Sequence, residues 1–340
     1  MRAFSPRCRL AARAFALLAA FACLPAFSVP HEAGAHADAR SEWWRYAGLL
    51  NAPGERRYAY VLTFFRSRTY VVAGARPSAW DASHVYAATF EIVDETGRRV
   101  RTARRFGRGT LAFASASVTS PDVRVATWRA AGRARTRLSA SDRDDGIALE
   151  LGASARAFET PFGYAISRVP TRGTIRLDGS TVAVRGTSLV EHAYGFRLPA
   201  DASGWDSFAL QLFDGRDFYV LSMRGRDGRP SRTFTVAIDR RGVARRRPAG
   251  DLTVGVHLDT HWRSRQTHAR YPSLWSFNAL REGLHAIELA PIAYDQELVS
   301  GRGRASYWDG AIDAYDDNPG GGHIGIGFVQ LTGYAGTIAP

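Results

Sequence analysis

The chain contains no lysine. All 45 of its basic side chains are arginine, and against 32 acids they give a net charge of +13. A surplus of this size fits nucleic-acid binding when the basic residues gather on one face. Here they are scattered, with short runs only, such as Arg104-Arg105 and Arg245-Arg246-Arg247, which solvated loops accommodate. We therefore expect no nucleic-acid partner; peripheral contact with anionic membrane is the functional alternative for those runs. Cysteine is almost as scarce. Cys8 and Cys23 are the only two, and both lie in or beside the first segment, which leaves the rest without disulfides, thiol chemistry or thiolate zinc ligands. Beyond that segment no apolar run is long enough for a bilayer-spanning helix. No Gly-x-Ser-x-Gly elbow marks a serine hydrolase, so a secreted hydrolase would need a site assembled from distant loops. No glycine-rich phosphate loop leads into a helix, and no long helical period with caps occurs.

What is present begins with a leader. Arg2, Arg7, Arg9 and Arg13 precede the apolar stretch from Ala14 to Phe27, and Ala26-Phe27-Ser28 supplies a small-residue cleavage pattern. Residues 1–28 are read as a signal peptide, with the mature protein starting near Val29 in the periplasm or the secreted fraction. A lipid anchor on Cys23 is the alternative, although Ala20-Phe21-Ala22 lacks the usual leucine three residues upstream.

Strand patterns fill the rest. Tyr58, Tyr60, Leu62 and Phe64 alternate with Ala59, Val61, Thr63 and Phe65, the period of a strand covered on both faces. Similar runs occur at Val85 to Val93, Val123 to Trp128, Ile147 to Leu151, Phe208 to Phe213, Phe218 to Met223, Phe234 to Ile238, Leu274 to Leu280 and Gly325 to Leu331. Asp178-Gly179, Asp214-Gly215 and Asp227-Gly228 sit where hairpins turn. A weak repeat is also visible. Glu42-Trp43-Trp44 with the strand Arg57 to Arg66 resembles Gly204-Trp205-Asp206 with the strand Arg216 to Arg224, so each copy opens on a tryptophan-led hairpin. The polar stretch Arg197 to Gly204 then reads as a junction. The fold class is all-β, with one β domain at 29–200 and a second at 201–340, barrels or sandwiches in form.

Seven segments in order resemble the secreted family of AttH-type proteins and carotenoid 1,2-hydratases. They are His36 with Glu42-Trp43-Trp44; Glu191-His192-Ala193-Tyr194-Gly195; Gly204-Trp205-Asp206; Tyr271-Pro272 with Trp275; Asp295-Gln296-Glu297-Leu298; Tyr307-Trp308-Asp309-Gly310; and Gly327 to Tyr334. The resemblance implies two tandem lipocalin-like antiparallel β-barrels and an extended apolar ligand, an isoprenoid, carotenoid or lipid. It also implies a hydratase that adds water to an isoprenoid C=C bond with no cofactor. There are departures. Ala193 and Tyr194 stand where the family usually has glutamate and tryptophan, Gln330 replaces a glutamate, and the strand Phe218 to Met223 lacks the family's proton-donating carboxylate.

Water addition needs a neutral carboxylic acid, aromatic faces for the cation and a base for water. Glu191, His192, Tyr194, Trp205 and Asp206 are the catalytic candidates. By the resemblance His192 orients or activates water, Tyr194 stands where a ring stabilises charge, and Glu191 becomes the stand-in acid. His36, Glu42, Trp43, Trp44 and Tyr219 are the ligand-binding candidates. Each has a structural alternative. Glu191 and His192 can form a hydrogen-bonded pair closing the first barrel, the tryptophans can plug a barrel end with Glu42 bonded to backbone, and His36 can be an ordinary loop histidine. Asp295 and Glu297 alternate like an acid/base pair, with an interdomain structural role preferred. His257, Asp259 and His261 alternate along an expected strand, with His268 nearby; the solvent face accounts for them, and no metal is expected. The expectation is a binder of an apolar small molecule that is either a hydratase or a non-catalytic lipid carrier. A purely structural envelope protein, its aromatics filling two cores, is the third reading.

Overall fold

Side chains alternate across a strand, so one segment can serve two cores at once. The strand Ser41–Ala52 does so: Trp44, Tyr46 and Leu50 face the interior of its own sheet, while Ala47 and Leu49 face a second sheet. The structure is a computed structural model that describes residues 34–69, 82–109, 113–132, 135–196, 198–299, 306–316, 318 and 321–336. The leader at 1–28, Cys8, Cys23 and the expected start at Val29 lie outside these residues.

The first sheet has twelve strands, and its path runs Arg99–Arg108, His84–Asp94, Arg56–Arg68, Ser41–Ala52, Ser180–Ala193, Gly163–Leu177, Asp145–Leu151, Thr136–Asp142, Trp128–Ala131, Val123–Val125, Ala114–Ala116. All its pairings are antiparallel. The twist brings the ends of this path together, so that Trp128 meets Phe90 edge-on at 5.6 Å and the sheet is a nearly closed barrel. The second sheet has ten strands on the path Ala244–Arg247, Pro230–Ile238, Asp217–Gly225, Ala202–Leu212, His323–Leu331, Tyr307–Asp316, Leu284–Pro291, Trp275–Ala279, Thr253–Val256, and it curls into a half-barrel. Leu280–Glu282, a single 3-10 turn, is the one helical element among the described residues. The chain is therefore all-β with two lipocalin-like barrels.

Local chemistry explains the register. Asp178 and Gly179 both take positive φ, 49° and 79°, the geometry of the tight turn that joins Gly163–Leu177 to Ser180–Ala193. Gly48 leaves room that a Cβ would fill, at 2.3 Å from the Tyr60 ring. Tyr60 thus lies across the strand and meets the Ser188 hydroxyl at 2.8 Å. One expected strand is two. The run from Val123 to Trp128 folds back at Ala126, where φ is 53°, and Val125 pairs with Trp128. An Ala-Thr pair carries no turn signal, so composition gave no warning.

Three apolar clusters result: the interior of each barrel, and a seam between the sheets where Val61, Leu189, Tyr219, Leu221 and Phe328 pack. Polar links reinforce the seam. Arg57 forks onto Asp313 at 2.6 and 3.1 Å, and the Thr89 and Tyr307 hydroxyls meet at 3.0 Å.

Candidate functional site

Two polar clusters lie on opposite faces of Ser41–Ala52. The first is inside one end of the first barrel. Glu42 stands opposite Arg66 in the neighbouring strand, and Trp44 stands opposite His192 on the other side. The Glu42 carboxylate accepts from His192 Nε2 at 2.8 Å, from His36 Nδ1 at 2.9 Å, from the His36 backbone N–H at 3.1 Å, and from Arg66 at 2.7 Å. Burial would push its pKa up, but the hydrogen bonds from His192 and His36 outweigh that and hold it below the ordinary carboxylate range. The His192 imidazole is pushed down by burial, against the pull of Glu42. A neutral ring donating Nε2–H to Glu42 leaves Nδ1 as a bare acceptor, and Nδ1 is buried without a partner. Aromatic rings surround it: Trp44 stacks at 4.9 Å, and Tyr194 and Tyr164 meet its ring edge-on at 5.1 and 5.5 Å. Tyr194 in turn stacks on His36 at 3.6 Å.

The second cluster lies in the seam. Arg45 is buried there, bonded to Glu191 and forked onto Asp309 at 2.9 and 2.5 Å. Burial opposes its charge, yet Asp309 and Glu191 hold Arg45 firmly protonated. The Tyr219 hydroxyl donates to Glu191 at 3.1 Å. Gln330 bridges Asp309 at 3.3 Å to the Trp205 indole N–H at 3.1 Å, and Trp205 stacks on Trp43 at 6.1 Å. On the same face of His84–Asp94, Glu91 is 1% exposed and neither carboxyl oxygen has a partner. Burial first, and then the nearby Asp309 and Asp295, push its pKa well up. Thr63 Oγ1, two residues along the adjacent strand from the Glu91 partner Val61, is also unpartnered.

The second barrel has its own polar end. Asp206 pairs with Arg224 at 2.5 Å and accepts from Tyr334 at 3.0 Å, while the Arg224 guanidinium sits 3.7 Å over the Tyr334 ring. Deeper in, Glu297 accepts from the hydroxyls of Ser264, Thr267 and Tyr271.

Three ligand atoms, from His36, Glu42 and His192, lie within 4.8 Å of one another, the only such group among the described residues. Two imidazoles and a carboxylate suit zinc. Arg66, however, places a permanent positive charge 2.7 Å from the same carboxylate, which opposes a dication. We read the group as a proton-sharing network.

The AttH-like family profile matches residues 23–334. The chain belongs to the AttH-like family. Comparison with curated proteins finds no match. Among solved structures, this AttH-like protein is similar to an AttH-assigned protein of Nitrosomonas europaea, with 24% identity and a TM-score of 0.75 over 91% of this chain and 97% of that one. It is also similar to kievitone hydratase of Nectria haematococca, with 14% identity and a TM-score of 0.66 over 92% and 94%. Likeness at these identities establishes the fold, not the chemistry.

The ten candidate residues of this AttH-like protein divide among three places. His36, Glu42, Trp44, His192 and Tyr194 meet at the end of the first barrel; Trp43, Glu191, Trp205 and Tyr219 lie at the seam; Asp206 lies in the second barrel. The expected Glu191/His192/Tyr194 constellation is corrected accordingly. Adjacent strand residues point to opposite faces, so Glu191 turns to Arg45 while His192 turns to Glu42. Nor do Glu191 and His192 form the alternative hydrogen-bonded pair. Asp295 is exposed while Glu297 is buried, so they share no face. His257, Asp259 and His261 do not alternate on a strand: Thr260 donates back to His257 at 3.2 Å in a turn, and the strand begins only at His261. Arg45, Arg66, Glu91 and Asp309 were not among the site candidates, although Asp309 lay in the Tyr307-Trp308-Asp309-Gly310 segment. For Arg45 and Glu91 the signal was a lone charged residue inside an apolar run, which burial turns into a paired or neutral group, whereas Arg66 stands beside Ser67 and Arg68 at the polar end of its strand.

Proposed function

We propose that this AttH-like protein takes up an extended apolar small molecule, an isoprenoid, carotenoid or other lipid, in its first barrel and engages the polar end of that molecule at His192. One observation carries this reading: His192 Nδ1 is buried without a partner among Trp44, Tyr164 and Tyr194, while Nε2 is fixed by Glu42. An unmet buried hydrogen-bonding atom costs a fold about 1–3 kcal/mol. Aromatic interiors with a few placed polar groups are the usual form of small-molecule sites. The leader read at 1–28 goes with a carrier working in the periplasm or secreted fraction. Native mass spectrometry after mixing the protein with unsaturated isoprenoids should show retained ligand, and His192→Ala should weaken retention about tenfold, the worth of one hydrogen bond. No retention across the panel would end the reading.

A second reading, cofactor-independent water addition to a C=C bond of that ligand, is supported by the Glu42–His192 pair. Glu42 fixes the tautomer, so Nδ1 takes one proton of the attacking water as its oxygen bonds to one alkene carbon; the other carbon takes its proton from solvent hydronium and His192 returns its own to solvent, so that the sum is one water added. In heavy-oxygen water, product oxygen should be labelled by the wild type and lost in both Glu42→Gln and His192→Ala. Unlabelled ligand from the wild type would leave the carrier alone.

A further inference from the structure

In the sequence the arginines are scattered singles with two short runs, and the fold reverses the weight of the two. The runs are bonded to neighbours. Arg104 donates to the Val299 carbonyl at 2.6 Å, Arg105 pairs with Asp142 at 2.7 Å, Arg245 pairs with Asp239 at 3.2 Å, Arg247 pairs with Glu282, and Arg246 lies 5.1 Å over the Phe234 ring. The singles gather instead. Arg137 stands opposite Glu150, Glu150 opposite Arg172, and Arg172 opposite Arg185, one row across four adjoining strands of the first barrel. Residues in register share a face, as do residues two or four places along a strand. Arg176 therefore joins this row from Gly163–Leu177, and Arg129, opposite Ser139, joins it from Trp128–Ala131. Arg135 enters through its bond to Glu150 at 3.0 Å.

This face is the outside of the barrel. The intervening residues Leu138, Leu149, Ile175 and Val184 pack in the interior, while all six arginines are exposed, with exposed small residues such as Ser139, Ala148 and Ala183 between them. Two acids accompany the six: Glu150, shared by Arg135 and Arg172, and Asp122, held by Arg129. Four positive charges are left over. The acids at the hairpin tips beyond, Asp142, Asp145 and Asp178, already face Arg105, Arg101 and Arg99, and Asp144 adjoins Arg143. Strand spacing and rise put Arg137 about 14 Å from Arg185 across the sheet, and Arg172 about 13 Å from Arg176 along it. Donors spread over that distance do not converge on one small anion; their complement is an array of negative charges. A nucleic acid is such an array, but no aromatic ring stands among these arginines to stack a base, and no helix or free ribbon projects from the wall to enter a groove. A bilayer surface with anionic headgroups needs neither and attracts basic side chains by charge alone.

We propose that this arginine-bearing outer wall of the first barrel docks on the anionic headgroups of a lipid bilayer, so that the protein works at a membrane surface. The proposal stands apart from the uptake reading and does not need it. The test is sedimentation of the full chain with vesicles of phosphatidylcholine alone and of equimolar phosphatidylcholine and phosphatidylglycerol. The anionic vesicles should bind at least about tenfold more tightly, and that advantage should shrink when ionic strength rises from about 0.01 M to about 0.15 M and the screening length falls from about 30 Å to about 8 Å. Three variants locate the contact. Arg137→Gln, Arg172→Gln and Arg185→Gln together should weaken anionic-vesicle binding at least about tenfold, since each basic side chain at such a surface is worth several-fold in affinity. Arg104→Gln, Arg245→Gln and Arg246→Gln together remove the same charge from the runs and should weaken it far less. Glu150→Gln removes the acid at the centre of the wall and should tighten binding, a gain that loss of folding does not produce. Equal binding to both vesicles, equal losses in the two triple variants, or Glu150→Gln binding no tighter than the wild type would overturn the proposal. So would displacement from vesicles by inorganic phosphate at matched ionic strength, which marks a single-anion site, or tighter binding of a DNA duplex at the same salt.

Discussion

Arg45→Ala should lower the unfolding free energy by about 3–5 kcal/mol, because it strands two carboxylates in the seam with no counter-charge. Asp309 is fully buried and takes both arms of the Arg45 fork, and Glu191 keeps only the Tyr219 hydroxyl once the guanidinium is gone. Urea denaturation checks the magnitude. The informative control is Arg45→Met combined with Asp309→Leu, which removes the pair instead of breaking it and should recover most of the loss. A cost under about 1 kcal/mol for the single change, the range of exposed pairs, would show that the seam opens to water and that Arg45 does not hold the sheets together.

Glu91→Met should act in the opposite direction, raising stability by about 1–3 kcal/mol at neutral pH, since it replaces two unmet carboxyl oxygens with an apolar group of similar size. The pH dependence follows from the sign of the shift. The folded state holds the Glu91 proton more tightly than the unfolded chain does. Between the unfolded pKa of about 4.3 and the raised folded value, the folded chain therefore carries the extra proton, and stability falls as pH rises through that window. Thermal midpoints measured across the window should fall less steeply for Glu91→Met, and also for Glu91→Gln, than for the wild type. Parallel curves would mean that Glu91 is already ionised and solvated in the native protein.

Much of the fold was legible because period-two alternation is a local signal. The strands around Tyr60, Phe90, Phe218 and Phe328 all stand where alternation put them, and Asp178-Gly179 turns as its residue types require. Strands rich in arginine, such as Arg99–Arg108, were not seen, because an exposed edge strand carries no apolar rhythm. The site was legible in its residue types but not in its grouping. His36, Glu42, Trp44, His192 and Tyr194 were all candidates, yet sequence adjacency tied His192 to Glu191, and the pleat separates that pair. The partners that matter to His192 come from about 150 residues away across a sheet pairing, and no local pattern fixes which strands adjoin. Glu91 was hidden for a related reason: an acid in an apolar run reads as a surface position until a second sheet covers it.

The face-to-face Trp43 and Trp205 rings occupy matching places in the two halves, so each half offers the same patch to the other, as copies of one subunit do across a dyad. Here a peptide tether joins them, between Ser180–Ala193 and Ala202–Leu212. A short tether of this kind fixes the local concentration of one patch near the other in the millimolar range. The halves consequently meet however dilute the protein becomes, a property that two untethered subunits sharing this patch would not have.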